Sequence, residues 1–167
     1  MRSLAGTEDA PRTGRTANRW PVHAAMAWTV LFAGMSFYWA MGGMMGTRSL
    51  GGAIYQKALE QDRAFAGVVW ATGFVKLAGV LPLAGLLAAR LRPAFRKALS
   101  ILCLLAGGLM ILYGLGNFVT ISLAALGVLA FDLEPYAAAW RLAFWEPFWM
   151  LGGVLYVLAG REGERGK

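Results

Sequence analysis

Two charges sit deep inside apolar runs of this chain: Glu146, in Trp145-Glu146-Pro147-Phe148-Trp149, and Lys76, in Phe74-Val75-Lys76-Leu77. A charge near the middle of a bilayer costs roughly 2.5–3.5 kcal/mol on insertion scales, so it is retained where a partner or a ligand compensates it. A carboxylate can exchange a proton or a cation. An ammonium can neutralise that carboxylate or hold an anion. Asn117, Tyr113 and Tyr38 lie in similar runs and add hydrogen-bonding capacity. Lys76, Glu146, Asn117, Tyr113 and Tyr38 are therefore the candidate ligand or ion pathway, and the sequence nominates no catalytic and no metal-binding residue.

The elements that must position these residues are apolar helices. The chain has 167 residues, 58% of them hydrophobic, and a mean hydropathy of +0.54. Runs near 20 apolar residues place it in the membrane class. Residues 1–22 read as a disordered basic tail. Helices are expected over about 23–43, 64–89, 98–126 and 136–160, followed by a charged tail over 161–167. The first helix reads as an uncleaved signal anchor, too long for a signal-peptide core. A short interfacial helix is expected from Ala53 to Arg63, and Pro82 should kink the second helix by freeing the Ala78 carbonyl. The expected fold is all-α and integral to the membrane, a four-transmembrane-helix up-down-up-down bundle.

Sixteen Lys and Arg set the orientation. Eleven lie in the two tails and in the connection 90–97, against four near the opposite ends of the helices. The positive-inside rule puts both termini in the cytoplasm. Lys76 is then about 18 Å into the second helix at 1.5 Å per residue, and Glu146 roughly 9–15 Å into the fourth. Both side chains lean toward the outer face. Small neighbours, Gly73 and Gly79 beside Lys76 and Gly114 beside Asn117, mark faces where helices approach closely. The simplest arrangement is a buried Lys76–Glu146 ion pair completed by Asn117 and Tyr113. The functional counterpart is a polar pocket open to the outer face. Thr72 shares the Lys76 face and is expected to bond its own helix's i−4 carbonyl.

Other chemistry is excluded or weak. The net charge is +7, but the basic residues sit at helix ends rather than on a phosphate-reading face, so nucleic acid is not an expected partner. The single histidine, His23, cannot supply two axial haem ligands, and the single cysteine, Cys103, permits no internal disulfide or CxxC pair. Met41, Met44 and Met45 have no second soft-ligand cluster to receive a metal and read as filler. Gly42 and Gly46 read as a helix break. No cofactor is expected.

Five motifs in order resemble a bacterial four-helix membrane family of uncharacterised role, the domain-of-unknown-function family 3995. They are Phe37-Tyr38-Trp39-Ala40-Met41-Gly42-Gly43, Gly51-Gly52-Ala53-Ile54, Lys76-Leu77-Ala78-Gly79, Leu112-Tyr113-Gly114-x-x-Asn117 and Trp145-Glu146-Pro147-x-Trp149-x-x-Gly152-Gly153. The resemblance spans about residues 25–158. It implies a multi-pass protein of the bacterial plasma (inner) membrane and brings no activity, substrate or enzyme assignment with it. The chain departs from the family pattern at Glu146, where aspartate is more usual, and at Arg141, where a histidine is often found. The expected function is a non-enzymatic membrane protein whose outer-half cluster of Lys76, Glu146 and Asn117 is structural or binds a small ligand. The alternative is a proton- or cation-coupled transporter with Glu146 as the exchanging carboxylate, working as a homo-oligomer because four short helices leave little room for a pore.

Overall fold

The computed structural model describes residues 19–88, 90–130 and 134–165, and every regular element among them is helical. The tail expected to be disordered lies, over residues 1–18, outside the described residues, as do Asp132 and residues 166–167.

Helix α1 spans Trp20–Ala40, three residues ahead of its expected start, with Pro21 in the first turn, where a missing N–H costs nothing. It stops before Gly42 (φ +93°) and Gly46 (φ +80°), backbone angles that suit glycine. These two glycines reverse the chain, as the sequence suggests. Two short helices follow, α2 (Thr47–Leu50) and α3 (Gly52–Leu59). The second starts where a short helix is expected, over Ala53 to Arg63, and ends at Leu59, four residues early. Asp62 then caps α4 (Arg63–Ala78), its carboxylate accepting from the Ala64 and Phe65 amides at 2.8 and 3.0 Å.

Helix α5 (Val80–Leu87) continues α4 after a break at Gly79. Pro82 has no N–H to offer the Ala78 carbonyl, so the bend expected from it appears as this interruption. The Tyr156 hydroxyl donates to Gly79 O at 3.2 Å and also bonds Thr29 Oγ1 at 2.9 Å, tying the break to two neighbouring helices. Helix α6 (Pro93–Ala125) is 33 residues long, or about 50 Å. It begins five residues before the expected boundary, because Pro93 is a good first helical residue. Helix α7 (Pro135–Trp140) passes through a π-helical turn, Arg141–Trp145, into α8 (Glu146–Arg165). The first part of the expected charged tail is thus helical.

Three stretches are long and apolar enough to cross a membrane: Arg63–Leu87, Pro93–Ala125 and Pro135–Glu164. Helix α1 is not among them. It contains no Asp, Glu, Lys or Arg, but His23, Thr29, Ser36 and Tyr38 dilute its apolar character. Its packing accounts for that composition. Val22, Ala25, Trp28, Thr29, Phe32, Ala33 and Ser36 are all buried, so the hydroxyls face protein. The helix packs against α4, α5 and α8, while α8 packs most extensively against α6. Neighbours along each pair run in opposite directions: Phe37 meets Trp70 and Phe74 while Ser36 meets Lys76, and Gly107 meets Gly153 while Gly114 meets Glu146.

The α6–α8 seam is built of small residues, while Trp28, Phe32, Leu83, Leu86, Trp145 and Tyr156 fill the rest of the interior. On α6 the buried positions Ser100, Gly107 and Gly114 recur every seven residues, with Cys103 between the first two, and Ser100 and Gly107 lie against Gly160 and Gly153 of α8. A Cβ placed on Gly107 would lie 2.6 Å from the Gly153 carbonyl oxygen. The two backbones touch, which is how helices associate where lipid removes the usual apolar driving force. The opposite face of α6 carries Leu105, Leu109 and Leu112, each more than 60% exposed. In water such a ladder is a liability; against acyl chains it is not.

Candidate functional site

The two deep charges do not meet. Helix α1 runs between α4 and α8, and its Phe32 ring packs against Lys76 of α4 and Trp149 of α8. Lys76 Nζ lies 3.6 Å from the centre of that ring and 5.9 Å from the centre of the Trp149 ring. Phe32 in turn packs edge-on against Trp149 at 4.9 Å. The expected Lys76–Glu146 ion pair is therefore replaced by a cation–π stack, an arrangement worth about 2 kcal/mol where water is excluded. The only hydrogen bond Lys76 makes among the described residues is to Ser36 Oγ, at 2.7 Å. Ser36 is almost fully buried and donates its own proton to Phe32 O.

Glu146 finds its partner within its own helix. Arg141 Nε and Nη2 both donate to Oε1, at 2.8 and 2.6 Å. In a regular α-helix residues five apart point about 140° away from each other. The π-helical turn widens the coil so that the Glu146 N–H bonds the Arg141 carbonyl five residues back, and the two side chains fall on one side. Pro147, which cannot donate to a carbonyl four residues earlier, favours this local departure from the α-helix. Glu146 is 2% exposed, and its other oxygen, Oε2, is buried without a hydrogen-bond partner among the described residues. The neighbouring Trp145 Nε1 donates to Ser49 Oγ at 2.9 Å, joining α2 to the turn.

The remaining nominated residues are dispersed. Tyr113 is exposed and meets the cluster only through its ring, 5.1 Å from Trp149. Asn117 is half-buried on α6 and makes no hydrogen bond among the described residues, so neither residue completes an ion pair. Tyr38 accepts from the Met45 amide at 3.3 Å, at the far end of α1. Thr72 bonds its own helix, at Val69 O rather than at the i−4 position. Sequence reasoning missed Ser36 and the role of Arg141. The signal for Arg141 was present in Pro147; a lone serine in an apolar helix carries none.

Lys76 and Ser36 form the floor of a cleft of about 430 Å³. Its walls are the end of α1, the glycine-rich loop, α3 and the first half of α4, including Met41, Leu50, Ile54, Phe65 and Val69. Thr72 lines it one turn above Lys76, and its rim holds Lys57, Asp62 and Arg63. Hydrogen bonds from the Phe65 amide, then the Ala64 amide, and the nearby Lys57 charge hold the Asp62 carboxyl below its ordinary range. A second groove, of about 760 Å³, lies on the other side of α1 and is lined by Tyr38, Tyr136, Trp140, Phe144 and Trp145. Among the described residues, no three His, Cys, Asp or Glu side chains converge as a metal site would require.

No curated protein and no solved structure matches the chain. A family model does, over residues 29–156, from within α1 to within α8, and it includes all five nominated residues. The chain belongs to the DUF3995 family, whose description is a protein of unknown function.

Proposed function

We propose that this chain is a four-span, up-down-up-down bundle of a bacterial plasma membrane, with both termini cytoplasmic, that binds a small ligand in the cleft above Lys76. Three apolar stretches support the membrane reading, and α1 is the fourth span by virtue of its place between α4 and α8. The observation that carries the ligand reading is the state of Lys76. It is a deep ammonium whose hydrogen bonding within the described residues ends at one serine hydroxyl, at the bottom of an open cleft. A residue kept only for packing would be balanced by a carboxylate or replaced by an apolar side chain. Glu146 supports a structural role instead, since Arg141 neutralises it from its own helix. That pairing weighs against cation exchange at Glu146, and the reading is of a binding protein rather than an enzyme.

Thiol labelling in intact cells tests this, in a Cys103→Ala background. A membrane-impermeant thiol reagent added outside should label Thr72→Cys, which lines the cleft. It should leave Val75→Cys unlabelled, since Val75 is 73% exposed on the lipid-facing side of the same helix. Lys97→Cys should react only after the cells are opened. Equal labelling of Thr72→Cys and Val75→Cys, or reaction of Thr72→Cys from the cytoplasmic side alone, would sink the proposal.

A further inference from the structure

We infer that the cleft selects an amphipathic carboxylate: one negative charge on a compact apolar body, seated with its charge on Lys76. The inference rests on the ligand-binding reading above and adds the chemistry of the ligand. A lysine ammonium offers three protons. One goes to Ser36 Oγ, and the other two have no acceptor among the described residues. Ser36 does not take a second, because two protons of one ammonium cannot both point at the same oxygen. The ring faces of Phe32 and Trp149 soften the cost of the charge but are far weaker acceptors than a carboxylate.

The field along the cleft has the same sign. Lys57 and Arg63 stand at the rim with Asp62 as the one anion. Asp62 keeps its charge while it caps α4, so the lining carries one cation in excess at the rim and a second, Lys76, at the floor. A metal ion or an ammonium is repelled by Lys76 at the floor, whereas an anion is drawn to it. Between rim and floor the walls are apolar, so the anion must carry an apolar body to displace water from them. A volume of about 430 Å³ suits one drug-sized body rather than the two chains of a phospholipid.

Three probes share one body and differ in head group: 4-phenylbutyrate, 4-phenylbutanol and 4-phenylbutylamine. Binding is read by equilibrium dialysis on the full chain in phosphatidylcholine nanodiscs, with empty nanodiscs subtracted. The carboxylate should saturate near one per chain and bind at least about tenfold tighter than the alcohol, a gap of about 1.4 kcal/mol. The amine should bind more weakly still. Lys76→Met should bring carboxylate binding down to that of the alcohol, and Lys76→Arg should keep most of the preference. The three-probe comparison on the unaltered chain stands even if Lys76→Met does not fold. Equal binding of carboxylate and alcohol overturns the anion selectivity and leaves the cleft as a binding site. Absence of binding by all three, with Thr72→Cys labelled from outside, overturns the inference alone. The same absence with Thr72→Cys unlabelled overturns both readings.

Discussion

The pairing of Glu146 with Arg141, rather than with Lys76, predicts an asymmetric set of stabilities. Removing one partner of a buried ion pair costs about 3–5 kcal/mol, because the other charge is left uncompensated. The two partners differ in access to water: the Glu146 side chain is 2% exposed and that of Arg141 21%. Arg141→Met strands a carboxylate that cannot reach solvent, so it should cost about 3 kcal/mol or more. Glu146→Leu leaves a guanidinium that can swing outward along its long stem, so it should cost about 1 kcal/mol. The double change puts two apolar side chains in place of the pair and should return to within about 1 kcal/mol of the unaltered protein. Lys76→Met combined with Glu146→Leu shares no hydrogen-bond partner and should be additive within about 0.5 kcal/mol. The assay is reversible unfolding in mixed detergent micelles, followed by circular dichroism. Strong coupling between Lys76 and Glu146, together with additivity between Arg141 and Glu146, would refute the π-turn pairing and restore an ion pair across α1.

The α6–α8 seam gives a matched pair of changes. Gly107→Ala brings a Cβ to 2.6 Å from the Gly153 backbone oxygen and should destabilise by about 1–3 kcal/mol. Gly108→Ala, next to it with nothing within 4 Å, should stabilise by about 0.5–1 kcal/mol. The same micelle titration separates the two signs, and a loss of similar size at both positions would contradict the backbone contact. Asp62 predicts a pH dependence. Its carboxyl is held below the ordinary value by the Phe65 and Ala64 amides. Its stabilisation is therefore complete above the unfolded value of about 3.9 and fades as pH falls through the lowered one. Asp62→Ala should lower the thermal midpoint at pH 7 and much less at pH 3. An equal drop at both pH values would show that the cap, not the charge, carries the effect.

Much of the fold was legible because lipid imposes simple rules. Length and hydropathy located the long helices, Gly42 and Gly46 marked the break after α1, and Pro135 marked a helix start, whereas Pro93 carries the same signal and the expected start of the third helix falls five residues after it. The limits lay in how polar groups pair across helices. A wheel of 3.6 residues per turn sends Arg141 to the far side from Glu146, and the π-helical turn brings them together. Lys76 fails to reach Glu146 because α1 intervenes, and its register on α4 is set by Gly73, where any Cβ would strike the Phe37 ring. That register follows from shape rather than from any pattern of charge.

Where helices meet through small residues, as at Gly73, Gly79, Gly107 and Gly153, little apolar bulk is present to choose one register over the next. Three contacts supply that choice here: Lys76 to Ser36, Trp145 to Ser49, and Tyr156 to Thr29 and the Gly79 carbonyl. In each, a long side chain with a single polar tip reaches a hydroxyl on another element. The long partner is conspicuous in the sequence, and the short one is one hydroxyl among many. Of the three long partners, Lys76 alone is charged and alone keeps donor capacity beyond its register contact. The Trp145 N–H is used by Ser49, and the Tyr156 hydroxyl has both a partner and an acceptor. Fixing the register does not require an ammonium, since a neutral donor would reach Ser36 without the cost of a buried charge. The excess charge at Lys76 is thus left for something that enters the cleft.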